Sequence, residues 1–185
     1  MEYLGSVNAE GGPLICIDGP LVPQWTGISG ADYDRGCALF DADPLLEGAE
    51  IGVGNGNAVL WAMGGAGTAA VFRITEEHFV IIRAWPIDPL DLNIARLIAI
   101  EPLSNEKEVG NLSVGSGILT VMWAVEDGAC IELPASLASG RLNGEASIED
   151  SGLVFEVKYK IFRCLHDTVD TAGGNGRRLH LVSNI

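Results

Sequence analysis

The polar and apolar positions of this chain alternate with the period of strands far more often than with the period of helices. Leu14-Ile15-Cys16-Ile17 is a short apolar run between Gly11-Gly12-Pro13 and Asp18-Gly19-Pro20, the pattern of a buried strand bounded by turns. Alternating or β-branched segments come next at Glu50–Val53, Ala58–Met63, Thr68–Ile74 and His78–Trp85, and Thr75-Glu76-Glu77 is a hairpin-length link between the last two. Further strands are expected at Gly117–Val125, Cys130–Leu133, Leu153–Leu165 and Leu179–Val182. Asp127-Gly128 predicts a hairpin turn between the first two of these. Phe155, Val157, Tyr159, Ile161 and Cys164, set against Glu156, Lys158 and Lys160, predict one strand with one wet face. Helical spacing occurs twice. Asp32 is a candidate N-cap for a helix through Phe40 that places Tyr33, Gly36, Cys37 and Phe40 on one face, with Asp43-Pro44 ending it. Leu90, Ile94, Leu97 and Ile98 suggest a second helix over Asp88–Ile100, closed by Pro102.

Strands thus outnumber helices, and their short links favour antiparallel pairing. The expected fold is α+β: mainly antiparallel sheet with two short helices, in a single domain over 1–185. Val53-Gly54-Asn55-Gly56 before Val59-Leu60-Trp61-Ala62 recurs as Val114-Gly115-Ser116-Gly117 before Val121-Met122-Trp123-Ala124. The recurrence suggests two related β units, roughly 50–100 and 110–166; the alternative is that Gly-rich turns precede apolar strands by chance. With 185 residues, 48% of them hydrophobic, the chain can bury a core without disulfides or metals. Its four cysteines, Cys16, Cys37, Cys130 and Cys164, contain no C-x-x-C pair and read as buried free thiols of a reducing cytosol, with two disulfides as the alternative. No basic-then-apolar leader stands at the N-terminus, and the uncharged run Ile51–Phe72 carries too many glycines and too strand-like an alternation for a membrane helix.

Charge narrows the partners. Eleven Lys and Arg against 25 Asp and Glu give a net charge of −14, a field that repels nucleic acid and anionic membranes and speeds the approach of a basic protein. Solubility alone is the competing explanation. Six acids, Asp32, Asp34, Asp41, Asp43, Glu47 and Glu50, crowd a twenty-residue stretch with one base, Arg35. Trp25, in the loop before them, is a candidate interface anchor that could equally pack inward. Together these seven residues are the candidate partner-binding set.

No catalytic, cofactor or metal site stands out. Gly65-Ala66-Gly67-Thr68-Ala69-Ala70 matches a dinucleotide fingerprint, but the residues after it, Val71–Thr75, read as a strand where a helix is required. Gly173-Gly174-Asn175-Gly176-Arg177-Arg178 lacks the ending of a phosphate loop and reads as a mobile hairpin tip with two exposed arginines. Cys164 and His166 face one side of a strand, expected as a core thiol beside a surface imidazole. Trp61, Trp85 and Trp123 sit in apolar strands and are expected in the core.

One resemblance joins several of these residues. Ala9-Glu10-Gly11-Gly12-Pro13-Leu14-Ile15, Trp25-Thr26-Gly27 and Asp32-Tyr33-Asp34-Arg35-Gly36-Cys37 resemble, respectively, the E-S-x-G-G-P-L-I, W-x-G and D-Y-D-R-A-C motifs of the immunity protein 21 family of bacterial polymorphic toxin systems. Ala58-Val59-Leu60, Thr68 and Ile82-Arg83-Ala84-Trp85 are similar to its V-L-G, Thr and V-R-W elements, with Ala84 inserted. The likeness covers roughly the first half of the chain. It implies a cytoplasmic protein that binds and neutralises a toxin domain, with no catalysis and no cofactor. The alternatives from other classes are a small cytoplasmic hydrolase-like enzyme with an unrecognised site, using Asp/Glu or Cys164–His166, and an oligomeric β module such as a homodimer.

Overall fold

A computed structural model describes residues 1–85, 98–101, 103, 105–132, 140–141, 143–144, 152–171 and 174–183. The strands are β1 (Glu2–Ala9), β2 (Leu14–Asp18), β3 (Gly48–Val53), β4 (Gly56–Trp61), β5 (Gly67–Thr75), β6 (His78–Trp85), β7 (Lys107–Ser113), β8 (Ile118–Trp123), β9 (Ile131–Glu132), β10 (Gly140–Arg141), β11 (Asn143–Gly144), β12 (Gly152–Glu156), β13 (Ile161–Thr171) and β14 (Gly174–Ser183). A helix, α1, spans Asp32–Ala42. One six-stranded sheet has the order β1-β5-β6-β14-β13-β7, a second the order β10-β12-β8-β2-β4-β3, and β11-β9 form a small ribbon. Neighbouring strands in all three run antiparallel. The expected α+β, mainly antiparallel architecture is the observed one.

The two large sheets face each other across one core, and period-two alternation decides what each strand contributes to it. On β2, Leu14 and Cys16 enter the space between the sheets with Val59, Trp61, Val71, Phe79, Phe155 and Phe162. Ile15 and Ile17 point the other way, into a second cluster with Leu60, Met122 and Val154. The strands of both sheets are therefore apolar on both faces, and each outer face has a cover. On the second sheet the cover is the 3-10 turn Gly19–Gln24, Trp25 and the inner side of α1, through Tyr33 and Phe40. α1 approaches closely because Gly36 faces the sheet; a Cβ there would lie 2.6 Å from a Leu60 methyl. On the first sheet, Ala70, Phe72, Val80, Ile82 and Val169 meet Ile98 and Ala99 of the helical residues 98–100.

Several expectations change. Asp32 is the first residue of α1, not its cap: Ala31 holds the cap position with no side-chain hydrogen bond. The run Leu153–Leu165 is two strands, β12 in the second sheet and β13 in the first, with residues 157–160 crossing between them. Asp127-Gly128 makes no hairpin, since the Asp127 carboxylate accepts from the Ala129 N–H and starts a 3-10 turn. β8 pairs instead with β2 and β12. β1 and β7, both edge strands, have no counterpart among the expected elements. The second expected helix lies outside the described residues apart from 98–100, which are helical.

The repeated V-G-x-G strings make different connections. Gly54-Asn55 turn the β3–β4 hairpin within one sheet, whereas 114–117 link β7 of the first sheet to β8 of the second. Trp61 and Trp123 nevertheless end up on either side of Leu14 in the central strand β2. No helix among the described residues is long and apolar enough to cross a membrane.

Candidate functional site

Polar side chains gather in three places, and their hydrogen bonds distinguish them. The first is on the outer face of the first sheet. Asp167 of β13 and Arg178 of β14 are direct cross-strand partners, and both side chains are wholly buried. Arg178 donates from Nε to Asp167 Oδ1 at 2.8 Å and from Nη2 to Oδ2. Its Nη1 donates to the carbonyls of Ile98 and Glu101, each at 2.8 Å, which pins the helical cover to the sheet. His180 Nε2 lies 3.2 Å from Asp167 Oδ1, and His180 Nδ1 shares a 2.9 Å hydrogen bond with His78 Nε2. Burial alone would raise the Asp167 carboxyl. The hydrogen bonds from His180 and Arg178 and the guanidinium charge outweigh it and hold that carboxyl well below its usual range. Burial lowers His78 to about 4, helped by the charges of His180 and Arg178, so this imidazole is neutral at pH 7. The expected tip with two exposed arginines is corrected: both lie within β14, where Arg178 is a buried ion-pair partner on the sheet's covered face and Arg177 is half-buried against Glu47.

The second cluster lies at the rim of the inter-sheet core. The Trp61 indole N–H donates to His166 Nδ1 at 3.1 Å. A neutral His166 therefore carries its proton on Nε2, which faces Glu47 at 3.9 Å. Glu47 is held by Arg177. Burial lowers the His166 pKa, the Glu47 charge opposes that, and Arg177 adds to it. The sequence suggests a surface imidazole, but β13 turns His166 inward at 2% exposure. With one nitrogen occupied by the indole and the other protonated, His166 offers no lone pair for general-base chemistry. Cys164 beside it is fully buried; burial pushes its thiol well up, with smaller contributions from Cys16 and from Glu50 and Glu108. Burial raises the Cys16 thiol to about 12. These two cysteines match the expected core thiols, whereas Cys37 is half-buried and Cys130 exposed.

The third place is the acidic stretch, and most of it is structural. Trp25 is not at the surface. It is fully buried, its indole N–H donating to the Ala124 carbonyl at 2.8 Å, and it belongs to the core beneath α1. Asp32 accepts from the Thr26 amide and hydroxyl, each at 3.0 Å, and pairs with Arg35 at 2.9 Å. Asp43 accepts from the Leu45 amide. Glu50 accepts from Asn57 Nδ2 at 2.8 Å and from the Asn111 amide at 2.9 Å, while Asn57 also bonds the Asn111 carbonyl and the Ser113 amide. These side chains cover the free backbone edge of β7, which sits at the border of its sheet. Asp34 and Asp41 remain: seven residues apart on one flank of α1, both are exposed and make no hydrogen bond or ion pair to a described residue. In the same stretch of chain Leu39, Leu45 (79% exposed) and Ile28 are the exposed large apolar side chains.

Cofactor motifs fare no better on geometry. Gly67 opens strand β5, so the G-x-G-x-x-A string has no helix N-terminus to hold a pyrophosphate. The Arg83 guanidinium lies over Gly67 and donates to the Ala66 carbonyl. No group of three or more His, Cys, Asp or Glu side chains among the described residues converges as metal ligands do. Trp85, expected in the core, has its side chain outside what is described; Trp61 is fully buried, and Trp123 is half-buried with its indole on the Gly11 carbonyl. No family model, curated protein or solved structure matches the chain.

Proposed function

We propose that this chain is a bacterial immunity protein that binds a toxin domain and neutralises it by protein–protein contact, without catalysis or a cofactor, in the cytoplasm. The observation that carries the reading is α1 and the chain around it, where Asp34 and Asp41 stand exposed with no pairing to a described residue and the same stretch also exposes Ile28, Leu39 and Leu45. Many of the other ionisable groups of the fold are absorbed in internal networks. Exposed apolar side chains and unused like charge in one segment are what an interface with a basic protein can draw on. A net charge of −14 speeds such an encounter toward the diffusion limit, which matters when an uncaptured toxin acts at once. The likeness of the Gly11–Ile15, Trp25–Gly27 and Asp32–Cys37 segments to the immunity protein 21 family points the same way.

The test is growth rescue: the C-terminal domain of the toxin encoded beside this chain is expressed with and without it. The expected outcome is rescue, with a co-purifying complex that weakens as salt rises. A verified toxic domain that neither binds nor is neutralised overturns the proposal.

A further inference from the structure

Beside the exposed acids of α1 lies a pocket of about 270 Å³. One wall is the helix, through Cys37, Phe40 and Asp41, which the spacing i, i+3, i+4 sets on one side. The other wall is Ala62–Gly65, and Gly12-Pro13 completes the lining. Gly64 and Gly65 have φ of +80° and +133°, and a Cβ on Gly65 would meet nothing within 4 Å, so this wall is low and open to the outside. The space is smaller than small-molecule sites usually are and suits a single large side chain. Apart from the Cys37 thiol and Asp41, its side chains are apolar.

We propose that this pocket receives one large apolar side chain, aromatic or long aliphatic, of the partner protein, and that Asp41 holds a Lys or Arg next to it. The inference rests on the partner-binding reading and names the chemistry that this part of the surface selects. Asp41 decides the neighbour. It is exposed, it has no cation of its own among the described residues, and it sits at an apolar opening on a chain of net charge −14. An acid-flanked side chain or an apolar anion would bring like charge against it. An anchor seated in a pocket with a charged rim is also the arrangement from which interfaces draw most of their affinity. Gly64 also borders a second, wider cleft of about 430 Å³ lined by Thr168, Asp170, Asn175 and Arg177. There Asp170 offers a second carboxylate to a basic segment.

The pocket can be tested without the partner. N-acetyl-phenylalanyl-arginine amide, its Phe-Glu congener and its Ala-Arg congener are titrated into the 15N-labelled protein and followed by NMR. The Phe-Arg probe is expected to shift the amides of Gly12, Cys37, Asp41 and Met63 with a dissociation constant of about 1–10 mM. The Phe-Glu probe should bind about fivefold more weakly, and the Ala-Arg probe should leave those amides unmoved. Ala62→Leu, which fills the pocket, should abolish the shifts, and Asp41→Asn should erase the preference for Arg over Glu. Should Ala62→Leu fail to fold, Asp41→Asn, at an exposed position, carries the test alone. Shifts that scatter over the surface, an Ala-Arg probe that binds as well as Phe-Arg, or pocket amides that move with protein concentration alone because a second copy fills the site would each overturn the proposal. Growth rescue reads the function separately. Rescue without pocket binding removes this inference only, and pocket binding without rescue removes the toxin reading only.

Discussion

Acid should loosen this fold in a pH range set by one histidine. His78 is lowered to about 4 by burial and by the charges of His180 and Arg178, against 6.5 for a free imidazole. Between those pH values the unfolded chain has taken up the proton and the folded chain has not. The stability tied to neutral His78 is therefore complete above about 6.5 and falls as pH drops toward 4. The full gap is worth about 3 kcal/mol; His78 is only part-buried, so solvent screening leaves about 1–2 kcal/mol. His166, lowered mainly by burial, adds in the same direction. An opposing effect runs alongside, because a chain with a pI near 4.4 loses self-repulsion as it approaches that pH. A difference measurement removes it. Urea unfolding of the wild type and of His78→Gln is compared at pH 7.5, 6, 5 and 4.5, the glutamine keeping a nitrogen donor near His180. The wild type should lose about 1–2 kcal/mol relative to the variant across that range. Parallel pH curves for the two proteins would show that His78 does not titrate as its surroundings imply, and the reasoning would fail.

Asp167→Asn leaves the wholly buried Arg178 without its counter-charge and should cost about 3–5 kcal/mol in urea unfolding; a loss under about 1 kcal/mol would mean that the pair is not sealed from water. Thr120 Oγ1 is buried with no hydrogen-bond partner among the described residues, so Thr120→Val should raise stability by about 1 kcal/mol, read as a higher urea midpoint at unchanged slope. Trp25→Phe removes the donor to the Ala124 carbonyl and should cost about 1–2 kcal/mol; a loss of toxin affinity with no loss of stability would return Trp25 to the interface. In native protein Ellman's reagent should titrate Cys130 fast and Cys37 slowly, while Cys16 and Cys164 react only on unfolding. Four thiols reacting together would contradict their placement.

Which elements are legible in the sequence, and which are not, divides along one physical line. β6 is readable to the residue, and β2 and α1 nearly so, because each is bounded by strong turn or helix-ending chemistry and carries a period that its burial enforces. β1 and β7 are edge strands with weak apolar content, and β7 takes backbone partners from Asn57 and Glu50 side chains about sixty residues away. No local pattern signals that. The alternation from Leu153 to Leu165 runs unbroken through a crossover between sheets, since a strand's period does not record which sheet it belongs to. Asp127-Gly128 misleads because the same Asp that favours hairpins also caps a 3-10 turn. Trp25 sits among turn residues, where composition suggests a surface, while its burial comes from Ala124 ninety-nine positions on. The ion pair is within reach of the sequence: counting outward from the Thr171–Gly174 pair of the β13–β14 hairpin sets Asp167 opposite Arg178 and Leu165 opposite His180. Reading Gly173–Arg178 as a loose tip discards that register.

The same division bears on function. An ionisable group can serve a partner only if the fold has not already used it. Asp32, Asp43, Glu47, Glu50, Asp167 and Arg178 each hold a backbone, a turn or a buried countercharge, so substituting any of them perturbs the protein before it perturbs an interface. Loss of toxin binding in such variants would report on folding. Asp34 and Asp41 escape that confusion. They are exposed, they make no bond to a described residue, and α1 holds its position through other residues, Tyr33, Gly36 and Phe40. Charge reversal of the two, Asp34→Lys with Asp41→Lys, should leave the melting temperature within about 2 °C, since exposed charges contribute little to stability. It should slow association with a basic toxin domain by about tenfold or more and flatten the salt dependence of the rate. An association rate unchanged in a folded double variant would move the contact away from α1, and with it the pocket that α1 helps to form.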